Sequence, residues 1–249
     1  MARRLTLPLL LLLLALAVPA TAAADDPLRP AGADTPLGDE RLSNETTLTR
    51  WAHTSLLRSI RAAPAADAER VGRLRWNTED GPPEVYLVLR SQLDANGDAW
   101  LKIRIPGRPN GRTGWVPEDG LGELREVRTH LVVDRGNRRA TLYRRGAKVW
   151  TSPVGVGAPG TPTPAGRFWV RDRLANLNGD PLYGPWAFGT SAYSDRLTDW
   201  PGGGVIGIHG TNAPWLIPGR PSHGCVRVPN PAIRRLARLM PVGTPVTIR

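Results

Sequence analysis

The sequence has 249 residues, a formal net charge of +11 and a single cysteine. One cysteine excludes an intramolecular disulfide and a cysteine-rich metal site, and the length suits one large or two small domains. Of the 33 basic residues, 31 are arginine, the exceptions being Lys102 and Lys148. Such a surface favours polyanions, although coding bias and solubility explain the excess equally well. Because the basic residues are scattered and no nucleic-acid-binding motif occurs, no nucleic-acid partner is expected.

The first 24 residues have the three-part pattern of a secretory signal peptide. Two arginines precede an apolar run from Leu5 to Val18, and residues 20–24 are small, as signal peptidase requires. A membrane span needs about 20 apolar residues, so cleavage after Ala22 or Ala24 is favoured over an uncleaved anchor. We therefore expect an exported protein, in the cell wall, the periplasm or the extracellular space, with no integral membrane segment after cleavage.

Residues 25–49 predict a flexible linker, because Pro, Gly, Asp, Thr and Asn dominate and large apolar residues are few. Short strands and turns follow from residue 50. The turn is predicted at 94–98, where Asn-Gly tolerates positive φ, and the strands at 71–74, 84–89, 100–105 and 113–117.

Residues 50–123 resemble a bacterial SH3-like domain. The resemblance rests on Ile60–Pro64 near the start, Trp100–Ile103 in the middle and Gly114–Val116 at the end. It implies a small β-barrel that either binds wall glycan or serves as a spacer, and both roles stay open.

A second unit begins near residue 124 and is predicted to be rich in β-strands, with one clear helix. Residues 159–166 contain too much Pro and Gly for regular structure and predict a rigid loop. Asn230 as N-cap and Pro231 in the first turn predict a helix start. The predicted strands are 129–134, 139–143, 148–150, 168–170, 205–208 and 244–248, and the predicted buried stripe of the helix is Ile233, Leu236, Ala237, Leu239 and Met240.

The single cysteine, Cys225, lies close in sequence to two of the chain's four histidines. A thiol is mostly protonated at neutral pH and becomes a nucleophile when a neighbouring base removes its proton. His223 lies two residues before Cys225, which is long for direct contact along a strand. His209 ends its own strand and could face the sulfur, so it is the favoured partner. Amides beside Gly210 and Gly224 could form an oxyanion hole.

Two other interpretations of Cys225 stay open from the residues alone. A buried structural cysteine is common. A zinc site needs a third protein ligand, which Cys225, His209 and His223 could supply together, but no pair of them has the usual spacing and no metal is expected. If Cys225 and His209 do pair as thiolate and imidazolium, the thiol pKa should fall and the histidine pKa should rise.

The segments around these residues resemble the L,D-transpeptidase catalytic domain of bacterial cell walls. The match consists of Ile208–Asn212 followed by Ser222–Arg227, with a glycine-proline loop upstream from Val156 to Gly166. It spans about residues 131–248, within a predicted domain of residues 124–249. The resemblance implies a β-sandwich-like fold with the cysteine in a cleft under a mobile flap.

The resemblance also implies a role for each matched residue. Cys225 is implied as the nucleophile and His209 as the general base and later acid, oriented by the main-chain carbonyl of Gly210. Arg227 is implied to order the pocket or to hold a substrate carboxylate, and no cofactor or metal is required. The residues implied to shape the pocket and the oxyanion site are His223, Gly224, Ser222 and Thr211.

The implied reaction is the formation of a 3→3 cross-link between peptidoglycan stem peptides. The Cys225 thiolate attacks a tetrapeptide donor stem, releases D-Ala and passes the thioester to the amine of a second stem. The same chemistry with water or a protein as acceptor stays open, as an L,D-carboxypeptidase or a wall-protein attachment enzyme. A non-catalytic wall-binding protein is a further alternative, disfavoured because Cys225 and His209 are both intact.

Overall fold

The computed structural model describes residues 38–198 and 201–249. Within these ranges the chain is mainly β, with one α-helix, α1 (Asn230–Leu239), which confirms the predicted fold class at this level. The predicted signal peptide, residues 1–24, lies outside the described residues. No helix in the described ranges is long and apolar enough to cross a membrane.

The first eight strands form a single sheet in the N-terminal unit. Their order is β4-β3-β7-β6-β5-β2-β8, with β1 paired to β5 outside this path. The four predicted strands correspond to β4, β5, β6 and β7 and are confirmed, whereas the SH3-like designation stays a prediction. The bounds are β1 (Glu40–Arg41), β2 (Thr49–Ala52), β3 (Ser59–Arg61), β4 (Arg70–Arg73), β5 (Tyr86–Leu93), β6 (Ala99–Arg104), β7 (Thr113–Pro117) and β8 (Arg125–Val127).

The prediction of a flexible linker over residues 25–49 is wrong for residues 40–49. β1 pairs with β5, Leu42 is buried, and Glu45 forms an ion pair with Arg104. The polar composition misled because the polar side chains here build a turn: Asn44 Oδ1 accepts the amides of three following residues, at 2.8–3.0 Å. Residues 25–37 of the predicted linker lie outside the described ranges.

Two further sheets make up the C-terminal unit. Their orders are β11-β10-β9-β19-β13 and β14-β15-β16-β18-β12-β17. All six strands predicted in this unit are confirmed, and β15 is the longest that the sequence did not predict. The bounds are β9 (Thr129–Asp134), β10 (Arg139–Arg144), β11 (Ala147–Pro153), β12 (Gly155–Gly157), β13 (Gly166–Trp169), β14 (Leu174–Ala175), β15 (Trp186–Tyr193), β16 (Val205–His209), β17 (Gly219–Ser222), β18 (Val226–Arg227) and β19 (Pro245–Ile248).

One apolar core joins both of these sheets to α1. It contains Leu131 from the first sheet, Phe188 and Ile208 from the second, and Leu236 from the helix, all buried. Burying such side chains contributes about 1.5–3 kcal/mol each relative to exposure. This core fixes β16 and β18, the two strands that end or begin beside the candidate site.

The start of α1 differs from the prediction at Asn230. The N-cap is Pro229, without a side-chain cap, and Asn230 is the first helical residue. Its side-chain oxygen instead accepts the amide of Thr211 at 2.9 Å. The helix therefore begins where the sequence predicted, but the asparagine holds the loop after β16 rather than the helix terminus.

The two units are joined through a junction that buries both charged and apolar groups. Arg171, which is 1% exposed, donates to both carboxylate oxygens of Glu84, at 2.7 and 2.5 Å. Trp169 Nε1 donates to the carbonyl of Val85 at 2.7 Å. Apolar residues of both units, Trp51, Val85, Leu87, Val127 and Trp169, pack into one buried cluster beside this ion pair.

Candidate active site

Cys225 and His209 come together because β16 and β18 are parallel neighbours. β16 ends at His209, and β18 begins directly after Cys225, with His209 opposite Arg227 in the register. A Cβ built on Gly207 would lie 3.6 Å from His209 Cδ2 and 3.8 Å from Cys225 Sγ. The ring and the sulfur therefore approach the same point of the backbone.

The His209 ring is held in one orientation. Its Nδ1 lies 2.7 Å from the Gly210 carbonyl oxygen, and since a carbonyl can only accept, Nδ1 carries the proton and Nε2 is the free acceptor. The ring of Tyr183 packs against it in an edge-on contact, with 5.0 Å between centroids. His209 is 3% exposed, so its imidazole is a positioned base inside the fold.

The loop that carries Cys225 is fixed by hydrogen bonds around the sulfur. The Gly207 amide donates to Cys225 Sγ at 3.4 Å, and Ser222 Oγ donates to the Cys225 carbonyl at 2.6 Å. Thr163 Oγ1 donates to the carbonyl of Gly224 at 2.7 Å. Gly224 itself has φ of +129°, a conformation that suits glycine. The nucleophile candidate thus lies on a rigid turn.

A cleft opens over Cys225 and His209. Residues of four segments of the C-terminal unit line it, including His223, whose side chain is exposed. The Nε of Arg227 is buried without a hydrogen-bond partner in the described part of the chain. The lining residues are Leu182, Tyr183, Ser194, Leu197, Gly204, Val205, Ile206, His209, Ser222, His223, Cys225 and Arg227.

Burial moves both titratable groups of the pair toward their neutral forms. It lowers the pKa of His209 to about 4, with Arg227 acting in the same direction and the Gly210 carbonyl opposing it. It raises the pKa of the Cys225 thiol above its ordinary value, against the Gly207 amide and Arg227, which lower it. Both directions run against the expected thiolate–imidazolium pair, because desolvation opposes each charge more strongly than the Gly210 carbonyl, the Gly207 amide and Arg227 favour it.

The structure brings most of the predicted site residues to the cleft, but it places Thr211 elsewhere. Thr211 is buried beside His209, and its hydroxyl accepts the amide of Ala213 at 3.0 Å. Of the amides beside Gly210 and Gly224 that were expected as oxyanion donors, that of Thr211 is already engaged, and so are the amides of the two glycines themselves. Gly210 donates to Trp186 O at 3.1 Å, Thr211 to Asn230 Oδ1 at 2.9 Å, and Gly224 to Ser222 Oγ at 3.2 Å.

Three residues with direct contacts at the site were missed by sequence reasoning. Gly207 and Tyr183 touch the pair itself, and Thr163 fixes the backbone of Gly224. Thr163 lies in the predicted glycine-proline loop, which gave a signal for it. A glycine within an apolar strand and a tyrosine 42 residues before the cysteine gave none. Among the described residues, no group of three or more His, Cys, Asp or Glu side chains is placed to hold a metal ion.

Comparisons of this chain with known proteins agree with one another. Residues 128–248 match the family model described as the L,D-transpeptidase catalytic domain. The chain is 31% identical over 162 residues to the Bacillus subtilis protein named as an L,D-transpeptidase, YkuD, covering 65% of this chain and 83% of that protein. It is 32% identical to the Salmonella typhimurium protein ErfK/SrfK, also named as an L,D-transpeptidase, covering 64% of this chain but 55% of that protein.

Solved structures of similar proteins cover between 49% and 61% of the chain. The catalytic domain of an Enterococcus faecium L,D-transpeptidase is 27% identical, with a TM-score of 0.37, over 49% of this chain and 96% of that one. An L,D-transpeptidase from Mycobacterium tuberculosis H37Rv is 16% identical, with a TM-score of 0.40, over 61% of this chain and 90% of that one.

Proposed function

Because the chain belongs to the L,D-transpeptidase family, we propose that it is an exported enzyme that cross-links peptidoglycan stem peptides through Cys225. The observation that carries this proposal is the meeting of Cys225 Sγ and the oriented His209 ring over Gly207. A structural cysteine would not need a histidine whose second nitrogen is kept available. The chain has both groups at one cleft.

The first half of the proposed reaction is acylation of the cysteine. As Sγ attacks the carbonyl carbon of the diamino acid in a tetrapeptide stem, the thiol proton passes to His209 Nε2. The C–N bond to the terminal D-Ala then breaks, and His209 returns the proton to the departing amine. The amide of Cys225 itself is the proposed donor to the oxyanion, since three neighbouring amides already have acceptors.

The second half transfers the acyl group. The amine of another stem attacks the thioester and His209 takes a proton from that amine. The C–S bond then breaks as the new amide forms, and His209 passes the proton to the departing Cys225 sulfur. Arg227 lies beside both groups and has a buried Nε without a partner in the described ranges. A guanidinium there suits a substrate carboxylate. Water or a protein amine as acceptor would follow the same steps.

The nucleophile is tested by replacing its sulfur. Cys225→Ser should abolish cross-linking, because a hydroxyl is far less acidic than a thiol and His209 is too weak a base for it. Stem peptides incubated with wild type and variant are analysed by mass spectrometry, which also identifies the acceptor. Intact mass should show a carbapenem adduct on wild type that Cys225→Ala lacks. More than a trace of turnover in Cys225→Ser would contradict the cysteine mechanism.

For the rest of the chain we propose a secretory signal peptide at residues 1–24, an SH3-like unit and a β-sandwich-like catalytic domain. The predicted SH3-like range of 50–123 becomes about 40–127, because β1 pairs with β5 and β8 pairs with β2 in the same sheet. The catalytic domain, predicted at 124–249, then begins at about residue 128. The basic surface and the SH3-like unit suit wall glycan as a partner. Sedimentation of the full-length Cys225→Ala protein with insoluble wall sacculi tests this role. Protein that stays in the supernatant at low salt would leave the unit without a wall-binding function.

A further inference from the structure

The loop between β6 and β7 of the N-terminal unit reaches the cleft of the C-terminal unit. Arg108 in this loop donates to three main-chain carbonyls, those of Ser194, Leu197 and Gly203, each at 2.9 Å. Ser194 and Leu197, together with Gly204, line the cleft over Cys225. We call residues 194–198 and 203–204 the rim segments.

The rim segments are shaped around the Arg108 guanidinium. Gly203 and Gly204 both have positive φ, of +68° and +78°, as glycine allows. A Cβ on Gly204 would lie 2.0 Å from the Leu197 carbonyl and 2.7 Å from Arg108 Nη2, so no larger residue fits. Ser194 N donates to the Gly204 carbonyl at 2.8 Å and ties the two segments together.

Two further contacts anchor the same loop at the start of the rim. Asn110 pairs with the backbone of Tyr193, donating to its carbonyl at 2.8 Å and accepting its amide at 3.0 Å. The Arg108 guanidinium also lies over the Tyr193 ring, 5.2 Å from its centroid. Without Arg108, the partly buried carbonyls of Ser194 and Leu197 would lose this donor, which costs free energy for each buried group left unpaired, and the exposed carbonyl of Gly203 would turn to water.

We propose that Arg108 is a positioning residue for the reaction, and that the N-terminal unit thereby completes the substrate cleft of the C-terminal unit. This inference rests on the proposed function. It assigns to the donor stem a binding surface in the C-terminal unit whose shape depends on Arg108 of the N-terminal unit. A planar guanidinium can serve three carbonyls at once, whereas a lysine ammonium lacks that geometry. The unit is then more than a spacer or a wall-binding module.

The test compares full-length Arg108→Ala and Arg108→Lys with wild type. Arg112→Ala is the matched control, because Arg112 lies in the same loop and donates to Val71 within its own unit. For a soluble tetrapeptide stem we expect kcat/KM to fall about tenfold or more in Arg108→Ala, because the rim segments lose several charge-assisted hydrogen bonds. Most of the change should be in KM, since Arg108 touches no reacting atom. Arg108→Lys should recover part of it and Arg112→Ala should match wild type.

Hydrogen exchange gives a second measurement that does not depend on turnover. Amides of residues 190–198 and 203–208 should exchange faster in Arg108→Ala than in wild type or Arg112→Ala. Unchanged exchange there would overturn the proposal, and so would faster exchange with wild-type KM. If wild type itself fails to process any stem, the proposed function fails, and the exchange data still decide whether Arg108 orders the cleft.

Discussion

At Cys225 and His209, burial acts on both members of the pair in the same direction, toward the uncharged form. The histidine is 3% exposed and its pKa is lowered to about 4, while the thiol pKa is raised. A resting neutral pair is protected from stray alkylation, because the thiolate is the reactive species. The proton must then move during attack on the substrate, when developing charge on the carbonyl oxygen can be stabilised.

This pair makes a prediction about pH. Acylation by a carbapenem should stay near its maximum from about pH 8 down to pH 5 and be halved near pH 4, since the neutral imidazole is required. The same lowered pKa means that stability contributed by neutral His209 is present above pH ~6.5 and is lost as pH falls through 4, because the unfolded chain binds the proton first. Circular dichroism at each pH separates unfolding from titration.

Two controls accompany the pH profile. His223→Gln should leave the acid limb in place, since the exposed His223 is assigned to the pocket and not to proton transfer. Alkylation of Cys225 by iodoacetamide, which reports the thiolate, should rise only at a pH above the ordinary range of a thiol, because burial raises the pKa of Cys225. An inflection between pH 6 and 7 in both the acylation and the alkylation profile would indicate a preformed ion pair and contradict the neutral one.

Among the elements, α1 and β16 are tied together by one side chain. Asn230 Oδ1 accepts the Thr211 amide, and a Cβ on either Gly184 or Gly210 would lie 2.4 Å from that oxygen. The backbone around Gly210 is therefore closely packed against Asn230. Since the Gly210 carbonyl orients the His209 ring, the first residue of the helix acts indirectly on the candidate base.

Asn230→Ala should destabilise the fold by about 1–3 kcal/mol, the cost of leaving a buried amide unpaired. Asn230→Asp keeps the acceptor and places a negative charge at the helix N-terminus, which is favourable, so its loss should be much smaller. Urea unfolding followed by circular dichroism measures both variants. If alanine and aspartate lower the free energy of unfolding equally, the Thr211 hydrogen bond is not what Asn230 contributes.

Strands with clear patterns could be predicted from the sequence, and β15 shows why others could not. Its residues, WAFGTSAY, are apolar or small, and all after Trp186 are buried, so no alternation marks the strand. Gly189 in its middle reads as a strand breaker, yet a Cβ there would lie 2.6 Å from Asp172 Oδ2. That constraint comes from tertiary packing, which a single sequence does not display.

The residues of the candidate site also fall into those that the sequence could identify and those that it could not. Cys225 and His209 could be identified because rare residue types cluster in a short stretch with a family pattern. Gly207 and Tyr183 could not, since their contribution depends on which strands become neighbours. The direction of the two pKa shifts also depends on burial, which the sequence does not give, and both directions run against the ion-pair expectation.

At the scale of the whole molecule, the junction between the two units contains several buried charged side chains. Arg171 and Glu84 have fully buried side chains, and Glu79 adds a second carboxylate to Arg171 at 2.9 Å. Thr78 of the N-terminal unit donates to the buried Asp172 at 2.9 Å, and burial raises the pKa of Asp172 to about 6. Because these groups come from both units, we expect the units to unfold as one cooperative system.

The Arg171–Glu84 pair gives the corresponding prediction. Glu84→Gln leaves the Arg171 guanidinium buried with Glu79 as its remaining carboxylate partner, and should destabilise the protein by about 3 kcal/mol or more, as for other broken buried pairs. Replacing both residues, Arg171→Met with Glu84→Leu, should cost less stability than the single change, because no unpaired charge stays in the junction.

Glu126→Gln is the control, since Glu126 pairs with Arg50 inside one unit at a partly exposed site. Its free energy of unfolding should fall by at most about 1 kcal/mol. Urea unfolding of the full chain measures all three variants. A loss in Glu84→Gln no greater than in Glu126→Gln, or two separate transitions in wild type, would mean that the junction does not couple the units.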